Sequence, residues 1–153
     1  ASVTPETFIT ISDLVSRGLS VYELDENRRE HSKKSIKILN YKADLIKRVE
    51  FYLDDTLATV HIPWDDIREY SDEYNPNVLI LEEMRLVEDV RVAVAVKTYP
   101  DGKVTGKIRC DSSSPIADKI AGYFGGGGHL RAAGCTMKGT FHDCVNNLSA
   151  ESI

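Results

Sequence analysis

The clearest pattern in the chain runs from Val90 to Thr98, where Val90, Val92, Val94 and Val96 alternate with Arg91, Ala93, Ala95 and Lys97. A period of two in β-branched residues predicts a strand. Pro100-Asp101-Gly102 has turn chemistry, so Val104 to Arg109 is expected to return as the antiparallel partner. A second alternation, Val49-Phe51-Leu53 and then Leu57 to Ile62, brackets Asp54-Asp55 and predicts a hairpin. Helical spacing governs most of the remainder. Thr4-Pro5-Glu6 is a helix start, because proline at the first helical position loses only an amide that would be unpaired anyway. Phe8, Ile11, Leu14 and Val15 follow, and Gly18 suits a left-handed cap. A second helix starts at Ser20, and a third carries Ile36, Leu39, Ala43, Leu45 and Ile46. Short helices are expected over 63–70 and 77–86, and a further one over 116–124 behind Ser112, Ser113, Ser114 and Pro115. A strand around 135–137 and a helix over 141–148 complete the pattern. The fold class read from this order is α/β, a mixed sheet flanked by helices and preceded by a helical linker. Three helices without a strand look like a connector, so residues 1–48 are set apart from a domain over 49–153.

Composition narrows the class. The 153 residues are 42% hydrophobic and 28% charged, which is globular rather than disordered. No apolar run approaches the roughly 18 residues of a membrane span. The start, ASVTPETF, has neither the basic residues nor the apolar stretch of a signal peptide, and the missing initiator methionine suggests a piece of a longer protein. A formal net charge of −5 argues against a broad duplex-binding surface. Within 103–131, however, Lys103, Lys107, Arg109, Lys119 and Arg131 face only Asp111 and Asp118, so a local anion site fits there. The three cysteines, Cys110, Cys135 and Cys144, form no CxxC pair and read as free thiols in a reducing cytosol.

The most informative stretch is Phe124-Gly125-Gly126-Gly127-Gly128-His129-Leu130-Arg131-Ala132-Ala133-Gly134. Four glycines lose the most conformational entropy on ordering, so the run needs a reason. One reason is a loop whose amides converge on an anion, with His129 as an added donor and Arg131 as a fixed charge. The plainer reading is a flexible turn between helix and strand. No Lys-Ser/Thr follows the glycines, which excludes a P-loop.

This stretch resembles the glycine-rich motif of the C-terminal, DHH-associated domain of the DHH phosphoesterases, a group that includes RecJ-like nucleases, nanoRNase/pAp phosphatases and cyclic-dinucleotide phosphodiesterases. The resemblance covers nearly the whole chain, with a basic strand, Lys107 to Cys110, ahead of the glycines as in the family. It implies a two-lobed hydrolase. An amino-terminal lobe with an Asp-His-His motif binds the metal ions, typically manganese, and the associated domain holds the nucleotide and its phosphate. On that reading residues 1–48 are the linker from a catalytic lobe that this sequence lacks, and 49–153 the substrate-binding domain. The partners implied are a nucleotide or short oligonucleotide and the catalytic lobe, with no membrane; a homodimer is the further partner to test. Carried over residue by residue, Arg109, Gly126, Gly127, Gly128 and His129 match the motif, and Gly125 and Arg131 flank it. Lys107 and Cys110 depart from the small hydroxyl residues that relatives often place around the arginine. The competing reading is a non-catalytic nucleic-acid-binding appendage similar to the C-terminal domain of alanyl-tRNA synthetases; His129 directly after the glycines favours the phosphoesterases.

No cofactor or metal site is expected in these residues. His31, His61, His129 and His142 are scattered, Asp54-Asp55 suits a turn, and Asp65-Asp66 suits a helix's first turn without any ligand. Ser112 to Ser114 read as capping residues, Cys110 as a buried thiol, Trp64 and Phe124 as core, and Tyr123 as the aromatic to test for base stacking.

Overall fold

The computed structural model describes residues 3–151 and divides into two compact units, 1–35 and 36–153. The first unit holds α1 (Pro5–Ser16) and α2 (Val21–His31). Helix α1 begins as expected, with Thr4 and Thr7 forming a reciprocal capping box ahead of Pro5. It ends in a Schellman arrangement: Gly18 has φ +100°, its amide donates to Val15, and the Leu19 amide donates to Leu14. Neither helix buries a residue; Phe8, Ile9, Ile11 and Leu14 are all exposed.

The second unit contains α3 (Ile36–Lys47), β1 (Glu50–Tyr52), β2 (Leu57–Ile62), α4 (Trp64–Tyr70), α5 (Pro76–Arg85), β3 (Val92–Thr98), β4 (Lys103–Cys110), α6 (Ala117–Tyr123), β5 (Gly127–His129), β6 (Ala132–Lys138) and α7 (Phe141–Glu151). The six strands form one sheet in the order β1-β2-β3-β4-β6-β5. Only β2 and β3 run parallel, through the crossover that holds α4 and α5; the other neighbours are antiparallel. The expected hairpin at Asp54-Asp55 and the central pair of β3 with β4 are both present. Leu53, Asp54 and Asp55 all carry positive φ at the hairpin turn.

Strand alternation sends side chains to two cores. One face of the sheet, with Val92, Val94, Val96, Val104, Ile108, Ala133 and Cys135, packs with Ala117, Ile120 and Ala121 of α6 and Cys144 and Leu148 of α7. The other face, with Ala58, Val60, Ile62, Ala93 and Ala95, packs with Ile38, Tyr41 and Leu45 of α3 and Leu79, Ile80, Leu81 and Met84 of α5. Small alanines at two successive β3 positions allow α5 to approach closely.

The compact unit begins at Ile36, and α3 packs with the sheet. Several expectations need correction. The stripe facing the core is Ile38-Tyr41-Leu45, whereas Ile36, Leu39 and Ile46 are exposed. Both stripes have helical spacing, and the packing with α5 selects between them. The serines before α6 do not cap it: Ile116 is the N-cap, and the Ser113 amide donates to Asp111 Oδ1 in a local turn. Trp64, expected in the core, is 38% exposed at the start of the seven-residue α4, which buries nothing fully.

Candidate functional site

The sheet's second face is covered only in part. Over β1 to β3 it carries α3 and α5, and at β4 the side of α5 stands across a cavity, with Val78, Leu81 and Glu82 facing Lys107 and Arg109. The register fixes which residues emerge there. Lys97, Ala95 and Ala93 on β3 sit opposite Thr105, Lys107 and Arg109 on β4. These are matched in turn by Thr136, Gly134 and Ala132 on β6, and Gly134 and Ala132 by Gly127 and His129 on β5. Directly paired residues project from the same face, so Lys97, Lys107, Arg109 and His129 share one surface with a floor of Gly127, Ala132 and Gly134. The wall of this trough is α5, whose N-terminus begins at Asn75-Pro76-Asn77.

Two cavities lie along the trough. The larger, about 470 Å³, is lined by Asn75, Asn77, Lys97, Tyr99, Thr105, Lys107, Gly125, Gly126, Gly134, Cys135 and Thr136. The smaller, about 180 Å³, shares Asn75, Asn77 and Lys107 and adds Val78, Leu81, Glu82 and Arg109. Three side-chain cations therefore follow one another down β3 and β4. Among the described residues none of them has an ion-pair partner: Lys97 Nζ donates to Asn75 Oδ1 at 3.3 Å, and Arg109 Nη1 to the Ile108 carbonyl at 3.0 Å. The nearby acid, Glu82, is held by Arg85 at 3.0 Å. Burial, with a smaller effect from the neighbouring Lys107 charge, holds the Lys97 ammonium below the usual lysine range. An anion seated between them reverses that penalty.

The α5 N-terminus adds to this field. Asn75 is its N-cap and accepts from the Asn77 amide at 3.1 Å, while Pro76 at the first position removes one amide that would need a partner. The first-turn amides are used up, Asn77 by the Asn75 side chain and Val78 by the Asn75 carbonyl, so what favours negative charge here is the helix dipole. Asn77 is only 8% exposed, and its Oδ1 is buried without a hydrogen-bond partner. A buried acceptor left open costs about 1–3 kcal/mol, so Asn77 weakens the fold where α5 borders the cavities.

The glycine run does not act as one anion nest. Gly125 has φ +72°, and its amide donates to Gly122 while that of Gly126 donates to Ala121. These bonds complete a Schellman cap on α6, so the amides of Gly125 and Gly126 are already committed and leave only the later part of the expected anion loop. Gly126 is required by contact: a Cβ there would stand 2.2 Å from the Gly134 carbonyl oxygen. Gly128 has φ +154°, and a Cβ would lie 2.6 Å from Ala133 Cα. Gly127 has open space around it, as has Gly125, but Gly125 is held at a positive φ and Gly127 is not. The second half of the run is thus a strand rather than a loop, pressed against β6 as the edge of the sheet.

The structure brings Arg109, Gly125 and Gly126 to the trough. His129 stands in the same row as Arg109, with Ala132 between them, about 10 Å away across two strand spacings. Neither it nor Gly127 and Gly128 lines either cavity. Arg131 lies in the two-residue turn between β5 and β6, exposed and apart from the trough. Sequence reasoning missed Asn75, Asn77, Lys97 and Tyr99. Lys97 was legible as the cation that breaks the β3 alanine row, and Asn-Pro-Asn as a helix start.

Among the described residues no group of three or more His, Cys, Asp or Glu side chains is placed to hold a metal ion. Asp66 accepts from Tyr41 and Arg48, and Asp65 pairs with Arg68. No described helix is long and apolar enough to cross a membrane. Cys110, Cys135 and Cys144 are free and buried, and burial pushes the Cys144 thiol up to about 12, so none is poised as a nucleophile.

No protein-family model matches the chain. A bifunctional oligoribonuclease and PAP phosphatase, NrnA, of Thermus thermophilus is 30% identical over 141 residues, 91% of this chain and 40% of that protein. The resemblance to the DHH-associated domain is borne out. The fold agrees as well. An exopolyphosphatase-related protein of Bacteroides fragilis superposes with a TM-score of 0.78 at 19% identity, over 96% of this chain and 42% of its own. A pGpG-specific phosphodiesterase of Vibrio cholerae superposes with a TM-score of 0.56 at 15% identity, over 99% of this chain and 51% of its own. The chain thus spans about half or less of the length of each of these three proteins.

Proposed function

We propose that the trough seats the phosphate of a nucleotide or short oligonucleotide, and that this chain is the substrate-holding half of a DHH-family phosphoesterase whose metal-binding catalytic lobe lies outside these residues. The observation that carries it is the row Lys97, Lys107 and Arg109, three cations without an ion-pair partner among the described residues, facing a floor of glycine and alanine. Cations crowded without a counter-charge cost stability unless an anion completes them. Arg109 suits a phosphate because its donor fork can engage two oxygens, and Lys107 adds a mobile point charge. His129, farther out in the same row, donates to a phosphate nearer the sheet edge.

The division of labour follows from what is present. These residues supply position, holding the reacting phosphate at fixed distance from whatever activates water, which is a large share of the barrier in reactions between two bound groups. Metal ions of the other lobe, manganese by the family resemblance, supply the hydrolytic chemistry. The acidic chain as a whole repels long polyanions, so short substrates held by a few contacts are favoured. Oligoribonucleotides and PAP, the substrates in the Thermus thermophilus protein's name, are the ones to try first. The three buried free thiols support a reducing cytosolic setting.

Calorimetric titration of a 5′-phosphorylated dinucleotide into this chain tests the reading. Arg109→Ala is expected to weaken binding by about 1.5–3 kcal/mol, the range for hydrogen bonds to a charged partner. Unchanged affinity in that variant would contradict the assignment. The chain alone is expected to hydrolyse neither oligoribonucleotide nor mononucleotide; manganese-dependent turnover by the purified chain would contradict the proposed division between lobes.

A further inference from the structure

The larger cavity ends at an aromatic pair that the phosphate contacts do not use. Tyr99 lines it beside Lys97, and Trp64 stands against Tyr99 with ring centroids 5.8 Å apart and planes tilted by 44°. Trp64 keeps 38% of its surface exposed. The pair is held firmly. Tyr99 closes the tight turn through Pro100-Asp101-Gly102, its amide donating to the Lys103 carbonyl and its carbonyl accepting from Gly102. The Lys103 ammonium lies over the Tyr99 ring at 5.2 Å from its centroid. Trp64 is fixed on the other side as the first residue of α4, directly after Pro63. One face of the Tyr99 ring is therefore covered by a cation, and the Trp64 indole, in contact with Tyr99 and outside the cavity lining, presents part of its surface to solvent.

We infer that Trp64 and Tyr99 form a nucleobase seat one nucleotide removed from the phosphate held by Lys107 and Arg109, so that the site reads an oligonucleotide rather than an isolated phosphate. This rests on the proposed phosphate-binding role of the trough. The spacing supports it. Thr105, Lys107 and Arg109 advance about 7 Å per pair of residues along β4, and Lys97 is matched with Thr105. The cations therefore form a track along the strand, not a single cluster, with the aromatic pair beyond its Lys97 end. A strand laid along the track places one phosphate at Lys107 and Arg109, passes the buried Asn77 acceptor, and brings its next base against the exposed indole. Every base has a π-face, so such a seat selects for the presence of a base with little preference among sequences.

Trp64 is the only tryptophan in the chain, so its emission reports on this seat alone. Titration of the full chain with a 5′-phosphorylated dinucleotide is expected to quench or shift that emission, with saturation at the concentrations where calorimetry reports binding. An abasic phosphodiester of equal length is expected to bind more weakly and leave the emission unchanged. By calorimetry, Trp64→Ala is expected to weaken dinucleotide binding about 5- to 100-fold, leave inorganic phosphate binding unchanged, and be rescued by Trp64→Phe. Dinucleotide binding that leaves Trp64 emission unmoved, or equal affinities for the dinucleotide and its abasic counterpart, would overturn the base seat while leaving the phosphate seat standing. Failure of every phosphate ligand to bind would overturn both.

Discussion

One face of one sheet is built in two ways. Over β2 and β3 it is Ala58, Val60, Ile62, Ala93 and Ala95, sealed beneath α3 and α5. On the next two strands the same face is Thr105, Lys107 and Arg109, then Ala132 and Gly134, and it opens into cavities bordered by α5 instead of a packed core. The opposite face of β4 and β6 is ordinary core, with Val104, Ile108, Cys110, Ala133 and Cys135 packed on α6 and α7. The open half is therefore not a weak part of the sheet. Its strands are anchored from behind, which lets the exposed side carry cations and near-bare backbone. In the covered half side chains are selected by volume; in the open half they are selected by charge and by the space they leave.

The glycines supply the sharpest way to break this contrast. Gly126→Val is expected to destabilise the domain by about 3 kcal/mol, since its side chain would overlap the Gly134 carbonyl and the Cys135 backbone. Gly127→Ala, one residue on and in open space, is expected to change stability by no more than about 0.5 kcal/mol. Thermal melts of the two variants check this. Equal melting temperatures would mean that β5 does not lie against β6 as described.

Asn77 offers a test of the boundary between the halves. It is buried with the α5 core on one side and the cavities on the other. Asn77→Leu removes a buried acceptor that has no partner and is expected to stabilise the fold by about 1 kcal/mol while weakening nucleotide binding. A loss of stability without loss of binding would make Asn77 part of the core alone.

The smallest effect expected is one of pH. Burial and the Lys107 charge depress the Lys97 ammonium, so Lys97 loses its proton earlier than an exposed lysine as pH rises. Anion affinity is expected to decline on the alkaline side before the ordinary lysine range near pH 10.4, and Lys97→Arg, which stays charged, is expected to flatten that decline. A binding isotherm series against pH in both proteins decides it.

How far the sequence revealed these features depends on the range of the interaction behind each. The β3–β4 pair was legible because alternation and a Pro-Asp-Gly turn are local. The Gly18 cap was legible for the same reason. The face that α3 buries was not, since Ile38-Tyr41-Leu45 and Ile36-Leu39-Ala43 are both helical stripes and only packing with α5 chooses between them. Among the candidate site residues, Arg109 followed from its strand and from family resemblance. The role of Gly126 did not, because it depends on Gly134 in the neighbouring strand. Asn75, Asn77 and Tyr99 reach the trough through the β2–β3 crossover and the β3–β4 turn, which bring distant parts of the chain to one sheet edge.

The open half of the sheet face is the proposed seat of the phosphate. The most direct measurement is an amide-resolved NMR titration of the chain with a 5′-phosphorylated dinucleotide. Saturable shifts are predicted for Asn77, Lys97, Lys107, Arg109, Gly126 and Gly134, with the amides of α7 and of α1 unmoved. Shifts confined to α7 or to the first two helices, with the trough silent at saturation, would contradict it.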